Sequence, residues 1–66
     1  MISPLIGQIF ERDGKRRHVV QIEPQGIYWN VYWTRTNSPG EYPRRCWCKT
    51  WCDWAAKATL VQEGAK

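Results

Sequence analysis

"RRCWCKTWCDWAAKATLV", residues 44–61, changes its hydrophobic period twice. Over 44–49 the side chains alternate. Arg44, Cys46 and Cys48 share one side with Thr50, and Arg45, Trp47 and Lys49 share the other, the two-residue period of a strand. From Trp51 the apolar positions are Trp51, Trp54, Ala55 and Ala58, spaced i, i+3, i+4, i+7 along one helical face. Thr50 and Asp53 stand where a capping box would open that helix. "TLV", 59–61, then reads as a last short strand. The stretch therefore predicts a strand, a helix of about two turns, and a strand.

Upstream, turn residues punctuate regular apolar runs. "RDGKR" carries Asp13-Gly14, a strong signal for a tight hairpin. "EPQG" places Pro24 and Gly26 at a second turn, and "TNSPGEYP" supplies Ser38-Pro39-Gly40 for a longer third loop. The runs between them, 6–11, 17–22, 27–34 and 44–49, read as strands, with "IYWNVYWT" the most β-prone. The expected fold is mainly β: one domain over 1–66, ordered over about 6–61, with loose ends at 1–5 and 62–66. About five antiparallel strands form a small closed or half-closed barrel, with one short helix before the last strand.

A chain of 66 residues is near the lower limit for folding without staples, so its core must be built from large side chains. Five Trp, three Tyr and one Phe meet that need. The same aromatics argue against disorder. "MISPLIGQIF" has neither the basic start nor the apolar length of a signal peptide, and no run approaches the roughly 20 apolar residues of a membrane helix. A cytoplasmic location without membrane contact is expected, and there thiols stay reduced. An odd cysteine count, three, agrees with that. The net charge of +4 leans towards an acidic partner.

The strand order, with a helical turn before the last strand, resembles that of the SH3-like small barrels. The opening "IGQIFERDGKRRHVVQI", 6–22, is similar to the start of small bacterial and prophage proteins, which open on a Gly-Gln-x-aromatic strand, a charged turn and a Val-rich strand. SH3-like barrels bind peptides, RNA, DNA or proteins, so the resemblance implies a binding module more than any one partner. A prophage origin would make a modulator of a host factor one such module.

Alternation assigns the faces. Cys46 and Cys48 belong inside, as buried residue types, and Trp47 outside between two cations. In the third strand Ile27, Trp29, Val31 and Trp33 face in, and Tyr28, Asn30, Tyr32 and Thr34 face out. In the second, His18, Val20 and Ile22 face in, and Arg17, Val19 and Gln21 face out. Trp51 and Trp54 both belong to the core, packed beside Ala55 and Ala58.

Cys46, Cys48, Cys52 and His18 make a Cys₃His set, but their spacing is poor for zinc. Residues i and i+2 of a strand lie roughly 6.5 Å apart and point in parallel. Cys52 has no neighbouring His, and no triad, carboxylate pair or phosphate loop is visible. Neither a metal nor another cofactor nor an enzymatic activity is expected. The outward faces remain. Tyr28, Asn30 and Tyr32 should lie beside Arg45, Trp47 and Lys49, flanked by Arg17 and Gln21, with Arg12, Lys15, Arg16 and Arg17 in the basic first loop. Flat rings stack bases and cations meet phosphates, so nucleic acid is the first expectation. A protein partner, or a second copy of the chain, could use the same face.

Overall fold

Asp13 and Gly14 both take positive φ, 53° and 76°, as a two-residue type I′ hairpin turn requires. They join β1 (Gln8–Arg12) to β2 (Lys15–Gln25), which pair antiparallel from Arg12 opposite Lys15 to Ile9 opposite His18. The structure is a computed structural model that describes residues 2–35 and 40–64. The second turn is shorter than the sequence suggests. Gln25 pairs with Tyr28, the first residue of β3 (Tyr28–Thr34), so only Gly26 and Ile27 form the loop. Gly26 has φ 65°, the first-position glycine of a type II′ turn. Ile27, expected inside, is 87% exposed at this tip. Pro24 lies within β2, opposite Trp29, where β1 no longer pairs with β2. Its missing N–H therefore costs no ladder bond. The third turn, at Ser38 and Pro39, lies outside the described residues.

Four residues make β4 (Arg44–Trp47), and α1 (Cys48–Ala55) follows without a loop. β5 (Thr59–Glu63) then returns to pair antiparallel with β1. The sheet order is β4-β3-β2-β1-β5. The structure is thus mainly β, with five antiparallel strands and one short helix before the last, as expected. β4 and β5 are its edges, and no ladder joins them. α1 covers one face of the sheet, with Cys48, Trp51, Trp54 and Ala55 packed on it. Beneath them lie Val19, Trp29, Val31 and Cys46, with Phe10, Ile22 and Trp33 partly buried at the margin. The Phe10 and Trp51 rings meet edge to face, with centroids 5.6 Å apart. The described structure extends beyond 6–61 at both ends. Pro4 is buried, the Leu5 N–H donates to Gln8 Oε1 at 2.8 Å, and β5 runs to Glu63. No helix among the described residues is long and apolar enough to cross a membrane.

Two local features differ from simple alternation. The helix starts at Cys48, two residues before the expected capping box. Its N-cap is Trp47, in extended conformation, with no side-chain cap hydrogen bond. Asp53 serves Lys49 instead, accepting from its Nζ at 3.4 Å across one helical turn. The second feature is a bulge. Val19 lies opposite Trp33 and Gln21 opposite Tyr32, so Val20 is an extra residue in β2. The bulge reverses the facing of everything before it. Arg17 and Val19 point to the helix side, Val19 fully buried, while His18 and Val20 turn outward.

Candidate binding surface

The face of the sheet away from α1 is set by register. Pairing of β3 with β4 puts Asn30 opposite Trp47 and Tyr32 opposite Arg45. Pairing of β2 with β3 adds Gln21 opposite Tyr32, Glu23 opposite Asn30 and Gln25 opposite Tyr28. Tyr28 and Trp47 are diagonal neighbours across the strands, within reach of large side chains. Their ring centroids lie 5.4 Å apart at 43°. The two residues remain 46% and 43% exposed, so the pair is open to solvent.

Beside this pair the face is polar. The Asn30 Nδ2–H donates to Glu23 Oε1 at 3.2 Å, and the Tyr32 hydroxyl reaches the same oxygen at 3.4 Å. Asn30 is 7% exposed, so it props this cluster rather than offering itself to a ligand. An open hollow of about 520 Å³ lies alongside, lined by Val20, Gln21, Glu23, Tyr32 and Pro43. Glu23 was absent from the expected set. It lies two residues after Gln21 on the same face, just past the expected strand 17–22, because β2 runs on through Pro24 to Gln25.

The expected cations divide among three places. Arg45 and Lys15 are exposed, and neither has a carboxylate within ion-pair distance among the described residues. Arg16 is on the outer side but is held by Glu11, Nε to Oε1 at 2.8 Å. Lys49 is not on β4; it stands on α1 beside Asp53. Arg12 and Arg17 face the helix side. The Arg12 Nη1–H donates to the Trp54 carbonyl at 3.3 Å. The Arg17 guanidinium lies 4.2 Å from the ring centroids of both Trp33 and Trp54. The Val20 bulge is the reason: with it, Arg17 shares a face with Phe10 and Trp33, not with Gln21. The expected outer set thus shrinks to Gln21, Tyr28, Tyr32, Arg45 and Trp47, while Lys15, opposite Arg12, falls on the helix side at the hairpin.

No family model, curated protein or solved structure matches the chain.

The thiols sit on the other side of the sheet. Cys46 and Cys48 are buried, Cys52 is half-buried, and none is bonded to another. Burial pushes the Cys46 thiol above its ordinary pKa, against the pull of the Arg17 charge. Burial also raises Cys52, whose Sγ lies 4.0 Å from the Ile2 carbonyl oxygen. His18, on the outer side opposite Thr34, is separated from all three by the sheet. Among the described residues no three His, Cys, Asp or Glu side chains converge.

What remains on the outer face is a pair of tilted rings, the exposed guanidinium of Arg45, and a hydrogen-bonded acid. Rings can stack flat groups, and Arg45 can meet an anion beside them.

Proposed function

We propose that the protein is a non-enzymatic binding module with an SH3-like architecture, acting in the cytoplasm, and that it holds single-stranded nucleic acid on this outer face. The Tyr28–Trp47 pair carries the reading: two half-exposed rings beside a guanidinium with no carboxylate at ion-pair distance among the described residues. A base stacks on Trp47, and Arg45 meets the adjoining phosphate. The strand order and the helical turn before β5 support the architecture. Three free thiols support a reducing compartment.

Glu23 favours a second reading. An acid in the middle of the face repels phosphate, whereas aromatic rings with a polar rim also suit a protein partner, such as a host factor.

Short DNA and RNA oligomers, titrated at low and moderate salt and followed by tryptophan fluorescence, separate the two. Nucleic-acid binding weakens steeply with salt. Trp47→Ala should cost about 1–3 kcal/mol of affinity with the melting temperature nearly unchanged. Arg45→Ala should flatten the salt dependence by about one phosphate contact. Absence of any fluorescence change at low salt would replace nucleic acid with the protein partner.

A further inference from the structure

Arg17 is held in an unusual way for a cation. Its Cζ lies over two indole rings, Trp33 and Trp54, 4.2 Å from each centroid. Contact with aromatic rings engages the flat of a guanidinium and leaves its N–H donors, at the edge, to other partners. No hydrogen bond or ion pair to that edge is made by the described residues. A half-buried guanidinium normally has an acid partner; here its nearest charged neighbours include two more arginines. Burial lowers the Arg17 pKa, and Arg12 and Arg44 lower it further. Arg44 also stacks over Trp33, at 5.5 Å.

The flanking arginines have long ion pairs, although Arg12 also donates to the Trp54 carbonyl. The Arg12 Nε is 3.8 Å from Asp13, and the Arg44 Nε is 3.9 Å from Glu41, both beyond hydrogen-bond length. Arg12, Arg17 and Arg44 come from three strands at one end of the sheet, on the α1 side. Of the three guanidiniums, Arg17 alone has no carboxylate within ion-pair distance among the described residues, and the ion pairs of the other two are long.

We propose that Arg12, Arg17 and Arg44 form a phosphate-binding site, built on the Trp33–Arg17–Trp54 stack. The Arg17 edge takes two oxygens of the phosphate, and the flanking arginines reach the others. A tetrahedral anion fits better than a carboxylate, whose two oxygens would be used up by one guanidinium. The site lies on the opposite side of the sheet from the Tyr28–Trp47 pair and does not depend on it.

Titration of ¹⁵N-labelled protein with sodium phosphate, at ionic strength held constant with chloride, tests this. Saturable shifts should appear at the Arg17 Nε–H and the Trp33 and Trp54 indole N–H groups, and acetate over the same range should produce none. Arg17→Lys keeps the charge but loses the fork, and should raise the phosphate Kd by about tenfold or more. Arg44 is more than half exposed, with 55% of its side chain accessible, so Arg44→Gln tests the site with little risk to the fold. It should weaken phosphate several-fold at an unchanged melting temperature. Non-saturating shifts spread over all cations, an equal response to acetate, or an unchanged Kd in Arg44→Gln would overturn the site. An oligothymidine added to the Trp47→Ala protein identifies the source of the phosphate. Displacement of inorganic phosphate assigns the site to a nucleic-acid backbone, and no displacement assigns it to a free phosphate; either result upholds the site. Failure of the outer face would show separately, as loss of the oligomer response at Trp47 with the phosphate response intact.

Discussion

Replacing Trp51 with alanine tests the core most directly. Its side chain is 1% exposed and is the largest of the fully buried ones. It meets the Phe10 ring edge to face and the Trp54 ring at 41°, both with centroids 5.6 Å apart. Truncating a buried Trp costs about 3–5 kcal/mol, and two lost aromatic contacts place this site towards the upper end. A domain of 66 residues has about 3–10 kcal/mol in total, so half or more of the stability should go. An unfolding entropy of about 2.1 cal/mol/K per residue gives about 0.14 kcal/mol/K for the chain, and hence a fall in melting temperature of about 20–35 °C. Circular dichroism in reducing buffer measures it, with Trp47→Ala as the control. Trp47 is 43% exposed and should cost only about 1 kcal/mol or less. A Trp51→Ala shift no larger than that of Trp47→Ala would mean that α1 does not cover the sheet as described.

Other outcomes follow from the turns, the acid and the thiols. Gly14→Ala forces a Cβ into φ 76°, with no atom within 4 Å to clash, so it should cost about 1–2 kcal/mol from backbone strain alone; an unchanged urea midpoint would argue against the type I′ turn. Glu23→Gln keeps an acceptor for Asn30 and Tyr32 but removes the charge. It should tighten oligonucleotide binding about two- to fivefold at low salt, and weaker binding would show that the face serves another ligand. The Cys46 pKa is raised by burial, so its contribution is fully present below the ordinary thiol range. Above that range the unfolded thiol ionises first and stability falls with rising pH. Urea melts from about pH 7 to about pH 9.5 should show this decline, and Cys46→Ala should flatten it. Cys46 and Cys48 should also label slowly with a thiol reagent until denaturant is added.

The first turn and the strand centres were legible because their chemistry is local. Asp13-Gly14 names its own turn, and the β-prone run around Val31 sits where the core needs it. The helix was legible from Trp51, Trp54 and Ala55, but its start was not. Cys48 satisfies both the strand alternation with Cys46 and the helical spacing with Trp51 and Ala55, so the boundary has two consistent solutions. Packing chose the helical one and took Lys49 with it. Trp51 is core as expected, whereas Trp54 is only partly buried, because its ring serves Arg17. The largest departure came from β2. Alternation assumes an unbroken ladder, and neither Gly nor Pro marks the bulge at Val20. The apolar pair Val19-Val20 gives no sign of which member points inward. Arg17 and His18 were exchanged as a result, and with them the composition of the candidate site.

That bulge makes β2 a strand written in two frames. Before Val20 the odd-numbered residues face α1, and after it the even-numbered ones do, in one unbroken segment. An indel there would not behave as a loop change. Deleting Val20 would remove the bulge and keep the facing, because Val19 would then directly precede Gln21, with Arg17 and Val19 still turned to α1 and His18 still turned out. Tolerance to substitution should therefore switch phase midway along the strand, with odd positions constrained before the bulge and even positions after it. A scan of β2 that shows one uniform period would be incompatible with the fold described here.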